Sequence, residues 1–216
     1  MTYFITPNMR KLPGIFILLL CSVISFGQEI HFYDVNGNRI TKEQFEKQRN
    51  GRVVPLSFQK GKNIETRLFP RSKSGYISQE IRNNIMTNLQ NVTGKKLGQS
   101  EMTIINYHHG KDACNSSGSM PNVWDLKSAI AKYRRQIKRI GQTSQYNLYA
   151  SKEGIKDSYG LIERYPDLNL LVEKTFFQYK YPCGSFVIIK PDGKYLAYFG
   201  HYSWNQVIQQ AKKLLK

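Results

Sequence analysis

From residue 102 to the C-terminus, strand-like and helix-like stretches alternate in an order that leaves few ways to fold. "MTIINYHH" (102–109) has the apolar, β-branched content of a strand. The polar loop "GKDACNSSGSMP" follows, and Asn122 then stands where a helix cap belongs, with Asp125 three positions on. Val123, Leu126, Ile130, Tyr133, Ile137 and Ile140 recur at helical spacing and predict a buried stripe. "QYNLYAS" reads as a second strand, "DLNLLVEKTFF" as a helical stretch, "SFVIIK" as a third strand and "KYLAYFGHY" as a fourth. Ser203 with Gln206 forms a capping box for a last helix whose inner face uses Val207, Ala211 and Leu214. The order is β-α-β-α-β-β-α. Crossovers that contain a helix imply parallel pairing, whereas the Asp192-Gly193 turn implies an antiparallel hairpin. The fold class is therefore α/β.

The preceding residues are patterned differently. A short strand (30–33) meets an Asn36-Gly37 turn, and Thr41 opens a helix carrying Phe45. Asp34, Asn36 and Asn38 have the spacing of the first ligands of a calcium-binding loop. Arg39 occupies the required glycine position, however, and Phe45 replaces the closing carboxylate, so the segment reads as a turn. "RVVPLSFQ" and "IETRLF" read as strands joined at Gly61-Lys62-Asn63, with Pro55 favouring an edge. Ile77, Ile81, Ile85, Leu89 and Val92 share one helical face, and Gly94 supplies the stop. A boundary near residue 99 would separate an N-terminal α+β extension (28–99) from the domain (100–216).

Residues 1–27 read as a secretory signal peptide: Arg10 and Lys11 precede an apolar run over 15–26, with small residues Ser25 and Gly27 before an expected cleavage at Gln28. That run is roughly half the length that spans a bilayer. Met9 heads a better-proportioned signal than Met1. The alternative is a lipoprotein acylated at Cys21, although Leu20 is not the small residue such a site wants. Cleavage would leave 216 − 27 = 189 residues carrying 30 basic and 15 acidic side chains, a net +15. Such an excess suits an anionic surface, and the expected residence is the periplasm or cell envelope. It would also leave Cys114 and Cys183, which in an oxidising compartment form a disulfide or a redox pair.

The order of elements, with "YPCGSFVIIKPDGKYLAYFGHYSWNQVIQQAKKLL" at its end, resembles the thioredoxin-like family. The resemblance covers roughly residues 100–216 and implies a three-layer sandwich of the type common in exported, cell-envelope proteins of Gram-negative bacteria. It implies that Pro182 follows a cis peptide bond and faces the redox loop after the first strand, which would place Cys183 beside Cys114. The family's CxxC is replaced by "KDACNSS". Cys114 at the first position gives Cys114-Asn115-Ser116-Ser117, similar to a monothiol CxxS; at the second position, Lys111 stands at the nucleophile's place. The usual mechanism needs a resolving thiol close by. Under this resemblance Cys114, Cys183 and Pro182 are the candidate catalytic residues. The bond either exchanges with a protein thiol or disulfide, Cys114 attacking and Cys183 resolving, or is structural in a non-catalytic scaffold.

His108 and His109 with the cysteines include copper or zinc donor types, but adjacent strand residues face opposite ways, so only one histidine can easily join. No metal or cofactor is expected. Lys127, Arg134, Arg135 and Lys138 lie off the apolar stripe of their helix and form a candidate docking face for an anionic envelope surface. No nucleic-acid motif appears, and export argues against a genome-binding role.

Overall fold

A computed structural model describes residues 28–97, 100–114, 121–155 and 158–215. The expected signal segment with Met9 and Cys21 lies outside these residues, as do Asn115, Ser116 and Ser117.

Four N-terminal strands form a small sheet in the order β2-β1-β4-β3: β1 Ile30–Tyr33, β2 Arg39–Ile40, β3 Val53–Lys60 and β4 Asn63–Pro70. Asp34 closes the first turn, its Oδ1 accepting the amides of Asn36 at 2.9 Å and Asn38 at 2.8 Å. Helix α1 (Lys42–Gln48) begins at a reciprocal Thr41/Gln44 capping box and buries Phe45 against Phe32, ring centroids 4.9 Å apart. β3 and β4 form the expected hairpin, and Pro55 lies on the edge strand.

The main sheet has six strands in the order β5-β10-β9-β6-β7-β8: β5 Ser72–Tyr76, β6 Met102–His108, β7 Thr143–Tyr149, β8 Tyr165–Pro166, β9 Ser185–Ile189 and β10 Lys194–Tyr198. β6 pairs parallel with β7 and antiparallel with β9, and β9 pairs antiparallel with β10. The segment expected to stop at residue 99 as an extension contributes to this sheet, because β5 pairs antiparallel along β10.

Helices α2 (Gln79–Thr93), α3 (Val123–Lys138), α4 (Leu171–Phe176) and α5 (Trp204–Leu215) cover both faces. Alternation along the strands sends Ile105, Tyr107, Val187, Ile189 and Ala197 to one face, under Ile85 and Leu89 of α2 and Val172 and Phe176 of α4. The opposite set, Met102, Ile104, Phe186, Ile188, Leu196 and Tyr198, packs under Tyr133 and Ile137 of α3 and Val207, Ala211 and Leu214 of α5. Both faces being covered explains why β9 is almost wholly apolar and why even Thr103 and Asn106 of β6 are buried. This helix–sheet–helix arrangement, with core strands ordered β10-β9-β6-β7, is the thioredoxin-like fold.

The caps read from the sequence are present. Asn122 accepts the amide of Asp125 at 2.9 Å, Ser203 and Gln206 bond reciprocally, and Gly94 ends α2 at φ 63°. The stretch 167–177 is less helical than expected. Asn169 and Leu170 take φ values of 57° and 53°, so α4 starts only at Leu171. Asp167 compensates by accepting the amides of Val172 at 3.1 Å and Glu173 at 3.0 Å. Among the described residues no helix is long and apolar enough to cross a membrane.

Candidate functional site: an exposed disulfide on a carboxylate

The antiparallel register of β6 and β9 sets the site. Tyr107 pairs with Ser185, so the chain leaving β6 runs beside the chain entering β9. Cys114 and Cys183, 69 positions apart, are joined there by a disulfide with a Cα–Cα separation of 5.1 Å, within the range a relaxed backbone allows. Cys114 is exposed and Cys183 half-buried. Cys114 precedes the Asn122 cap of α3 by several positions in the chain.

Pro182 sits at this junction, but the implied cis bond is corrected: there is no cis peptide bond among the described residues. The turn is made by left-handed backbone instead, with Cys183 at φ 65° and Gly184 at φ 82°. A proline followed by a residue at positive φ has the pattern of a type II turn, which reverses the chain with trans peptides. Gly184 is required by close approach as well as by φ. A Cβ there would lie 3.0 Å from the Tyr107 carbonyl oxygen and 3.1 Å from the His108 ring.

Asp112 ties the two sides together. Its Oδ1 accepts the Cys114 amide at 2.8 Å and its Oδ2 accepts the Cys183 amide at 2.9 Å. The sequence reading missed it. An Asp two residues before a cysteine signals a local turn, and nothing local announces the second bond.

The two histidines diverge. The His108 ring lies over Gly184, and burial pushes its pKa down to about 4, with Arg164 adding to the depression, so it is neutral at neutral pH. His109 is engaged from α4, its Nδ1 lying 3.0 Å from Glu173 Oε2, which also accepts the Tyr107 hydroxyl at 2.9 Å. Burial lowers the pKa of His109, and the hydrogen bond to Glu173 opposes the drop. Both thiols are consumed in the disulfide. No group of three or more His, Cys, Asp or Glu able to hold a metal occurs among the described residues. Lys111, the nucleophile's replacement in the second alignment, is an exposed partner of Glu153 at 3.6 Å.

Lys127, Arg134, Arg135 and Lys138 are exposed along α3. Lys127 lies 5.9 Å from the ring centroid of Trp124, itself 74% exposed. None of the four makes an ion pair within 4 Å among the described residues.

Fold and junction together define a thioredoxin-like domain whose disulfide links the loop after its first core strand to the turn before its third. Among solved structures the chain is similar to BsSco, a member of the Sco family of cytochrome c oxidase assembly proteins in which a disulfide switch has been identified. That similarity has 12% identity, a TM-score of 0.34, and coverage of 76% of this chain and 92% of the other. So low a score carries no argument about partners or activity. No protein-family model matches the chain, and no curated protein matches it.

Proposed function

We propose that this chain is an exported thioredoxin-like protein that carries out thiol–disulfide exchange through Cys114 and Cys183. The observation behind the reading is the exposure of Cys114 combined with its bond to the more buried Cys183. In the oxidising direction a substrate thiolate attacks the Cys114 sulfur, the S–S bond breaks, and Cys183 leaves as a thiolate that takes up a proton. A second substrate thiolate then attacks the mixed disulfide, and Cys114 leaves in its turn. In the reducing direction Cys114 attacks a substrate disulfide and Cys183 resolves the intermediate. Pro182 shapes the turn that presents Cys183. The substrate class is a protein thiol or disulfide.

A redox titration against glutathione tests this reading. An exchangeable pair has a potential above about −300 mV, and Cys183→Ser then accumulates mixed disulfides on Cys114. A bond that resists glutathione, with no trapped species, leaves the second reading: a scaffold stapled by its disulfide. That alternative draws on the hold Asp112 keeps on both cysteine segments. In either reading the cations of α3 form a face for an anionic envelope surface. Export itself is tested by N-terminal sequencing of the secreted chain, expected to begin at Gln28.

A further inference from the structure

The disulfide is not alone in crossing the junction. The amide of Cys114 donates to Asp112 Oδ1 in a local Asx turn, which any Asp two residues upstream can form. The amide of Cys183 donates to Oδ2 of the same carboxylate across 71 positions, joining the same two segments that the disulfide joins. A charged acceptor makes such bonds shorter and stronger than neutral ones.

The geometry points to Asp112 as a positioning residue for the thiol pair: a carboxylate clamp that keeps Cys114 and Cys183 in register when the disulfide opens and biases the pair toward the oxidised state. The inference rests on the exchange reading in taking the bond to open in the working protein. Without the clamp, the short stretch from the end of β6 to Cys114 would be free to move away from the turn that carries Cys183, and reclosure would again carry the entropy of ordering it. With the clamp, the second thiol stays preset beside the first, so its effective concentration is high. Opening the bond takes two electrons and two protons, supplied by two external thiols that leave as a disulfide. Asp112 itself gives and takes nothing.

Charged groups also surround this carboxylate, which bears electrostatically on His108 and His109. Lys111 is turned to Glu153, and His109 is bonded to Glu173. Arg164 bonds the Ser158 hydroxyl at 2.7 Å and bears electrostatically on His108.

The test equilibrates the full chain, Asp112→Asn and Asp112→Ala in dithiothreitol buffers and, separately, in glutathione buffers. Thermal melting of the oxidised forms controls for folding. In dithiothreitol the constant favouring the disulfide is expected to fall on the order of tenfold for Asp112→Asn and further for Asp112→Ala. The Cys183 amide of the reduced wild type is expected to keep slow hydrogen exchange. Equal constants within twofold for wild type and Asp112→Asn, or a fast-exchanging Cys183 amide in the reduced wild type, overturns the clamp. Wild type that equilibrates with dithiothreitol but not with glutathione, the variant ratio still shifted, removes the exchange reading and leaves the clamp standing.

Discussion

Tyr107 and His109 converge on a single carboxylate oxygen. Glu173 Oε2 accepts the Tyr107 hydroxyl at 2.9 Å and lies 3.0 Å from His109 Nδ1. This link ties the end of β6 to α4 beneath the disulfide junction and gives the loop a firm base. Removing the acceptor with Glu173→Ala leaves a buried hydroxyl and a buried imidazole short of a partner. A loss of about 1–3 kcal/mol is expected, read from the urea midpoint of the oxidised protein. Glu173→Gln keeps an acceptor but removes the charge that opposes the depression of His109. The His109 pKa should then fall further, as followed by NMR titration.

His108 predicts a direction for acid sensitivity. Burial holds its folded pKa at about 4, against 6.5 for the unfolded group. Between those values the unfolded chain binds more protons, so stability is lost as pH falls from about 6.5 toward about 4. The slope for one such histidine is at most about 1.4 kcal/mol per pH unit. Asp167, whose pKa burial raises, runs with the opposite sign. The difference in melting temperature between wild type and His108→Gln across this window therefore isolates the histidine, and that difference should shrink as the pH is lowered.

Gly184→Ala is expected to be costly. The residue sits at φ 82° with the Tyr107 carbonyl and the His108 ring where a methyl group would go. Strain and overlap together suggest roughly 1–3 kcal/mol of destabilisation. Because the strain falls next to Cys183, the variant should also be reduced faster by dithiothreitol. A neutral melting temperature would mean that the turn has room to shift.

Replacing both cysteines with serine should lower stability by roughly 4 kcal/mol in the chain-entropy account, given the 69-residue separation. Chemical denaturation of the double variant against the oxidised wild type measures it. A much smaller loss would indicate that the unfolded chain already keeps the two cysteine segments near each other.

Charge reversal of Arg134 and Arg135 to Glu should abolish retention on an anionic matrix at low salt while leaving the unfolding free energy within about 0.5 kcal/mol of wild type, as exposed sites do. Retention that does not respond would place the anion-binding surface elsewhere on this basic chain.

Much of this architecture can be read from local chemistry. The caps at Asn122, Ser203 and Gly94 and the hairpin at Gly61 each satisfy their own backbone groups within a few residues, so the pattern is complete in the sequence. β5 is different. "SKSGY" has no apolar alternation and only Tyr76 as a strand-forming residue, and it is a strand because β10 offers it an edge to pair with. The same holds for α4, shortened because Asn169 and Leu170 enter left-handed backbone that Asp167 stabilises from outside the helix.

At the junction, the resemblance placed the two cysteines in reach of each other, as the 5.1 Å Cα separation reports. It misassigned the geometry of Pro182, because the positive φ of Cys183 and Gly184 turns the chain by another route. Asp112 was invisible for a simple reason: a hydrogen bond spanning 71 positions leaves no periodic trace.

Proline and brevity recur at the margins of both sheets. β2 and β8 are two residues each, Pro166 lies in β8, Pro55 lies in β3, and β5 carries Lys73 with Gly75. A neighbouring chain that tried to add a strand would find missing amides, a charge or almost no ladder to extend. Crowded copies of this protein should therefore resist polymerising through their sheets, even while the sulfur pair is open to attack.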